Sequence, residues 1–337
     1  MQVFYAEEQK RHDPRTFLSS GTLRPNPEQP ERAERLLTGA RAAGCTILRP
    51  ENYGLAPLAA VHTPEYLQFL QTIHARWQQI PGASEEVIPN IHPFRRDGVY
   101  PQSAVGQAGY HMADTACPIS GETWGSVCWS AWSAVAAADA VSGGQPCAYA
   151  LCRPPGHHAF ADVAGGVCFV NNTAVAAQRL RRTAGRVAIL DVDLHHGNGT
   201  QGIFYARSDV LTVSIHADPI RFYPFFWGHA GERGEGAGLG YNLNLPLPTK
   251  AGDETFLDAL DVGIRRIRAF APDALVVALG LDAFEGDPFG ELSVTTSGFG
   301  RIGEAISRLG LPSVIVQEGG YICDALGKNL SAFLAGL

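Results

Sequence analysis

Residues 187–201 read VAILDVDLHHGNGTQ, and the fold turns on this stretch. Val187–Val192 is an apolar run broken only by Asp191. Such a run suits a strand buried on both faces, as in a parallel sheet covered by helices. It ends in acids, imidazoles and glycines, and the same pattern recurs on either side. Cys147–Leu151 leads into Arg153-Pro154-Pro155-Gly156-His157-His158, and Ala274–Leu279 into Gly280-Leu281-Asp282. Ser313–Gln317 leads into Glu318-Gly319-Gly320-Tyr321, and Val210–Ile215 is a fifth strand-like run. Helical patterns lie between the runs, at Asn172–Arg182, Glu254–Phe270, Phe299–Leu309 and Asp324–Leu337. Alternation of this kind predicts an α/β domain with a mostly parallel sheet. Ligands bind such sheets beyond the carboxyl ends of the strands, so four strands would bring their polar residues to one rim.

The N-terminal third is less regular. Pro30–Ala43 and Thr63–Gln79 read as helices, the second with Thr63 as N-cap and Pro64 at its first position. Residues 80–122 are rich in Pro, Gly and polar groups and read as one elaborated surface loop. Trp124–Val141 reads as a buried apolar helix. With no repeat and no linker, residues 1–337 form a single domain.

Composition narrows the function. Of 337 residues, 45% are hydrophobic and 18% charged, which is globular, and the net charge is −7, which offers no basic surface for nucleic acid. The opening MQVFYAEEQKRHDPR has no apolar core of a signal peptide, and the longest apolar runs are strand-sized, so no membrane segment is expected. Seven cysteines, an odd number with no CxxC pair, predict a reduced, cytoplasmic protein.

The polar residues carry the chemistry. Asp193 and His195 are two apart, so both project from one face of an extended segment, with Asp191 beside them. With Asp282 as third ligand they make up a catalytic zinc site with an open position; the plain alternative is a hydrogen-bonded strand end. His157 and His158 follow a rigid Pro-Pro-Gly turn. An imidazole there takes a proton from water and returns it to a leaving amine, oriented by Asp191 or Asn198. Tyr321 follows two glycines and would donate to an oxyanion; its alternative is packing.

RPPGHH, DVDLHHGNGTQ, the Asp282 segment and EGGY together resemble the arginase/deacetylase superfamily. Within it the chain is similar to the zinc-dependent histone deacetylases and the bacterial acetylpolyamine amidohydrolases. PERAERL near the start and VHTPEYLQFL at residues 61–70 extend the resemblance over essentially the whole chain, and GTQGIFY and CRPPGHH point to the amidohydrolases. The resemblance implies a central eight-stranded, mostly parallel sheet flanked by helices. It implies zinc, or Fe²⁺, on Asp193, His195 and Asp282, catalytic His157 and His158, and Tyr321 polarising the substrate carbonyl. Asp191 matches the partner of the first histidine and Asn198 that of the second. Structural potassium would use the Asp191 and Ser214 side chains with the carbonyls of Asp193, His195 and Ile215. A second potassium would use the carbonyls of Phe204, Arg207, Val210 and Tyr241.

Two departures from the family bear on the substrate. Between Gly166 and Cys168 the family has an aromatic residue in the channel wall, and here stands Val167. The opposite wall falls to Phe222, Tyr223, Phe225, Phe226 and Trp227. Polyamine-specific members also draw cations with loop acids, and between Pro101 and Gly121 the one acid is Asp114, with Val105 and Ala116 at the other positions. The resemblance thus implies a zinc-dependent amidohydrolase acting on a small acylated amine, as a homodimer supported by residues 80–122. A protein acetyl-lysine deacetylase and an amidase for bulkier or aryl amides are the alternatives. A binuclear manganese ureohydrolase would need further aspartates in DxHxD order, and a non-catalytic binding protein would lack a ligand or Tyr321.

Overall fold

A computed structural model describes residues 1–337. In chain order come β1 (Gln2–Phe4), β2 (Thr16–Ser19), β3 (Thr22–Pro25), α1 (Glu31–Ala42), β4 (Thr46–Leu48), α2 (Ala56–Ala59), α3 (Pro64–Trp77), α4 (Ala104–His111) and α5 (Thr123–Ser142). Then follow β5 (Cys147–Ala150), α6 (Asn172–Leu180), β6 (Val187–Asp191), α7 (Asn198–Phe204), β7 (Val210–Ala217) and β8 (Asn242–Leu247). The chain closes with α8 (Asp253–Phe270), β9 (Ala274–Leu279), α9 (Thr296–Ser307), β10 (Ser313–Gln317) and α10 (Leu326–Gly336).

Eight strands form one sheet in the order β4-β1-β5-β10-β9-β6-β7-β8, and every pairing in it is parallel. β5, β10, β9 and β6 are neighbours in its middle, so the four polar loops expected at one rim do share it. All residues of β6, β7, β9 and β10 are buried, as their largely apolar sequences predict. One face packs on α1, α8, α9 and α10, with Leu190, Val277, Ile315, Phe256, Phe299 and Phe333 buried in one core. The other packs on α5 and α6, with Ala137, Ala177, Val276 and Val316 among its buried residues. α5 is buried along most of its length, and no helix is long and apolar enough to cross a membrane.

The stretch 80–122 is not all loop. α4 lies within it, capped where Ser103 Oγ accepts from the Gly106 amide, and Val87 bridges Ile119. Two glycines and a β-branched valine make AVGQAGYH a poor helix by propensity, so tertiary contact holds it. A Cβ at Gly109 would fall 2.0 Å from the Ile91 carbonyl, so glycine permits that approach. β2 and β3 form a separate antiparallel hairpin turning at Ser20 and Gly21, both left-handed.

Candidate active site

The floor of the site is a buried group of acids and imidazoles. Asp193, His195 and Asp282 each turn a ligating atom toward one point, all within 4.8 Å of one another. His195 Nδ1 lies 3.2 Å from Asp193 Oδ1 and 3.1 Å from Asp282 Oδ2. The carboxylates are aimed by backbone donors: Gly319 N–H to Asp193 Oδ2 at 2.7 Å and Leu194 N–H to Asp282 Oδ1 at 3.1 Å. Glycine leaves the room, since a Cβ at Gly280 or Gly319 would fall about 2 Å from these carboxylate oxygens. Two fully buried carboxylates this close repel, and burial and then Asp193 push the Asp282 carboxyl upward. A divalent cation between them resolves that repulsion, and an O/N/O donor set suits Zn²⁺ or Fe²⁺. The residues fit the ion that the sequence calls for.

The tandem histidines face this group and differ in their surroundings. Their rings lie 4.1 Å apart. His157 Nδ1 donates to Asp191 Oδ2 at 3.0 Å. Burial alone would lower His157, but Asp193 and Asp191 outweigh it and hold it at about 10. His158 Nδ1 meets Asn198 Oδ1 at 2.7 Å. Burial, then His157 and His195, push His158 well below the usual imidazole range. Their surroundings push the two imidazoles in opposite directions, the kind of division that acid–base chemistry uses.

Three anchors escaped the reading of the sequence. Glu318, quoted there without a role, accepts from the Gly156 amide at 2.6 Å, the His157 amide at 2.9 Å and Thr173 Oγ1 at 2.6 Å, which fixes the histidine turn. Its signal was an acid at the end of a buried strand, the same signal that marked Asp282. Asp287 accepts from the Tyr321 amide at 2.9 Å. Buried Arg32 donates to the carbonyls of Glu318 and Gly320, pairs with Glu28, and lies over the Tyr321 ring. No local signal marks Asp287, and Arg32 stood within PERAERL without a role. Burial raises the Tyr321 phenol well above its usual range, so its proton stays available for donation.

Above the floor runs a channel of about 330 Å³. His158, His195 and Tyr321 close its bottom, and Gly166, Val167, Tyr223, Phe225, Phe289 and Asp114 line it, together with Phe17 and Leu18 from the β2–β3 hairpin, which the sequence did not suggest. Phe222 stacks on His195 at 5.0 Å and Tyr223 meets His158 edge-on at 5.0 Å. Two expectations change here. Of the aromatic run only Tyr223 and Phe225 line the channel: Phe222 backs His195, Trp227 packs on Phe160 and Tyr205, and Phe226 is 85% exposed, because the chain turns at left-handed Phe225. Asp114 is no free acid: its carboxylate accepts from the Gly166 amide at 2.9 Å, the Tyr223 hydroxyl at 2.8 Å and the Ala116 amide at 2.9 Å. It ties two walls together. Val167 sits in the left-handed region at φ 62°, a strained conformation for a β-branched residue.

The residues expected around potassium lie near the rim and beyond α7. Ser214 Oγ is 2.7 Å from His216 Nδ1, and Asp191 Oδ1 accepts from the Asp193 amide at 3.1 Å. The Phe204 carbonyl accepts from Arg207 and the Tyr241 carbonyl from Thr212, with Val210 opening β7 and Ile215 inside it.

Residues 26–337 match the histone deacetylase domain. The chain belongs to the histone deacetylase family. Family members of this kind hydrolyse amide bonds, and the chain is such a hydrolase. It is 50% identical to an acetylpolyamine amidohydrolase of Burkholderia pseudomallei over all of this chain and 98% of that one. It is 41% identical to the acetylpolyamine amidohydrolase of Mycoplana ramosa over all of this chain and 99% of that one. The crystal structure of an acetylpolyamine aminohydrolase from B. pseudomallei superposes with a TM-score of 0.96, covering all of this chain and 98% of that chain. The HDA15 HD domain superposes at 0.82 with 28% identity, covering 99% of this chain and 90% of that chain. These likenesses to deacetylase-family proteins run from end to end, so they take in both the floor and the channel walls.

Proposed function

We propose that the protein is a metal-dependent amidohydrolase that removes an acetyl or other short acyl group from a small amine, with acetylated polyamines as the substrate class. What carries this reading is the meeting of an Asp–His–Asp cradle, two imidazoles pushed in opposite directions and a tyrosine on one channel floor. Full-length likeness to acetylpolyamine amidohydrolases supports the substrate class.

Asp193, His195 and Asp282 would hold Zn²⁺, or Fe²⁺. Such an ion polarises the amide carbonyl and lowers the pKa of water. The chain's own groups do the rest. Asn198 Oδ1 accepts from His158 Nδ1, which leaves His158 Nε2 free to take the proton of the attacking water. The Tyr321 hydroxyl donates to the developing oxyanion, and cationic His157 stabilises the same charge. His158 then returns its proton to the leaving amine, and a carboxylate and a free amine result. Structural potassium at Asp191 and Ser214 belongs to this reading, with a second ion at the carbonyls of Phe204, Arg207, Val210 and Tyr241; melting in KCl against tetramethylammonium chloride tests both. So does a cytoplasmic location, which seven free cysteines support.

A homodimer through residues 80–122 also belongs to it. Arg96 pairs with Asp162 and Tyr100 meets His111, which staples the loop down, yet Phe94 and Val99 stand fully exposed on it. Sedimentation at the mass of one chain at micromolar concentration would remove this part.

The test is a turnover panel of acetylputrescine, acetylspermidine, an acetyl-lysine peptide and an aryl acetamide, before and after dialysis against a strong chelator. Hydrolysis should vanish on dialysis and return with Zn²⁺ or Co²⁺. Full activity in metal-free protein would sink the reading. Engaged Asp114 and small Val167 favour a second reading, in which bulkier or aryl amides are turned over best.

A further inference from the structure

The aromatic wall of the channel hangs on a carboxylate that lies outside the channel. Beyond Phe222, which backs His195, and the wall rings Tyr223 and Phe225, the chain is fixed at Gly228. The Gly228 N–H donates to Glu232 Oε2 at 2.8 Å, and its carbonyl accepts from His216 Nε2 at 2.9 Å. Glu232 Oε2 also accepts from Gln201 Nε2 of α7 at 2.6 Å and from Asn244 Nδ2 of β8 at 3.2 Å. Gln201 Oε1 in turn accepts from the Asn242 and Asn244 side chains at 3.0 and 2.9 Å. Asn242 returns to the Glu232 carbonyl at 2.8 Å, and Asn244 to the His229 carbonyl at 3.2 Å. Gln201, Asn242, Asn244 and His216 are all buried. A Cβ at Gly228 would fall 2.6 Å from the ring of His196, whose neighbour in sequence is the ligand His195. The loop is thereby seated against α7, β7, β8 and the metal-site segment at one residue. Three neutral N–H groups converge on one carboxylate oxygen, and charge-assisted bonds are roughly twice as strong as neutral ones.

We infer that Glu232 is a positioning residue for the hydrolysis. It fixes Gly228, so that Phe222 stays stacked on His195, Tyr223 stays against His158 and bonded to Asp114, and Phe225 keeps its place in the wall. Glu232 itself is absent from the channel lining. For its kinetic test the inference rests on the amidohydrolase reading; for its structural test it does not.

Glu232→Ala removes the acceptor for all three donors, while Glu232→Gln keeps one oxygen for the Gly228 amide. The measurements, on zinc-loaded protein, are kcat and KM for acetylputrescine, the Kd of hexanohydroxamic acid, and deuterium exchange over residues 222–229. In Glu232→Ala, KM and Kd should rise about tenfold and kcat should fall less than about threefold, the signature of lost positioning rather than lost chemistry. Exchange in the segment should quicken. Glu232→Gln should recover most of KM, Kd and protection. Should Glu232→Ala not fold, Asn244→Leu carries the comparison with a smaller rise. Unchanged exchange overturns the anchor, and faster exchange with unchanged KM and Kd overturns the positioning role. If the wild-type holoenzyme hydrolyses no acylated amine while exchange and Kd move as stated, the amidohydrolase reading falls and the anchor stands.

Discussion

The floor of the site and the mouth of its channel are built in different ways. Every group on the floor follows one of four adjacent parallel strands, and Asp193, Asp282 and Glu318 have no exposed surface. The mouth is assembled from a hairpin, a loop turn and an aromatic segment far apart in sequence, and Leu18 and Phe225 are 44% and 48% exposed. The floor therefore depends on the rigid sheet and on buried partners that neighbouring strands bring together from distant parts of the chain. The mouth depends on loops held by a few polar contacts, such as Asp114 and Glu232. Chemistry should be brittle at the floor and selectivity adjustable at the mouth.

The largest effect should come from the floor. Tyr321→Phe removes the proposed oxyanion donor without touching the proposed metal cradle, and kcat should fall about a hundredfold or more. Metal content, measured by elemental analysis, should not change, because the phenol is not a ligand. Wild-type turnover in this variant would reduce Tyr321 to packing and break the contrast drawn above.

A smaller effect tests the charge split between the histidines. His157 is held protonated by Asp193 and Asp191 against the opposing pull of burial. Asp191→Asn keeps an oxygen for the Nδ1 bond and removes one negative charge. The pKa of His157 then falls, so its cation is lost at lower pH as pH rises. The alkaline limb of the kcat–pH profile should move down by about one unit or more, the usual size for one adjacent charge. At neutral pH, below that limb and with the Nδ1 bond kept, kcat should fall by less than about tenfold. An alkaline limb that stays where it is would mean that the cation on His157 plays no part.

The same contrast decides what could be read from the sequence. β6, β9 and β10 and their site residues were legible because an unbroken apolar run followed by polar residues is a local signal. β1 and β4 have three residues each, too few to show a period, and β8 carries Pro246 at the sheet edge, where proline is tolerated. α4 was missed because its helix comes from packing, not propensity. Asp287 and Arg32 act on backbone groups more than thirty residues away, a relation no motif records. Phe226 misled for the converse reason: a run of aromatics says which residues are near the channel, not which of them turn in.

The smallest effect lies at the mouth, at Val167, where an aromatic ring was expected. The residue is nearly buried, lines the channel and holds a left-handed backbone conformation. A β-branched side chain there costs roughly 1–3 kcal/mol, and the strain persists because the surrounding structure holds it. Tyrosine lacks the β-branch, so Val167→Tyr adds a ring to the wall without adding that strain. The ring should narrow the passage, grip a slender chain and obstruct a bulky one. Comparing kcat/KM for acetylputrescine and an aryl acetamide, the ratio should move toward acetylputrescine by about 1 kcal/mol or more, close to fivefold, as expected for a modest change in apolar pocket contact. Phe225 is the competitor. It is 48% exposed and lines the same channel; a ring leaning across the space above valine would make the passage already narrow. The ratio would then stay where it is in Val167→Tyr and shift toward the aryl amide in Phe225→Ala. That pair of results would move the control of selectivity from Val167 to the aromatic segment that Glu232 anchors.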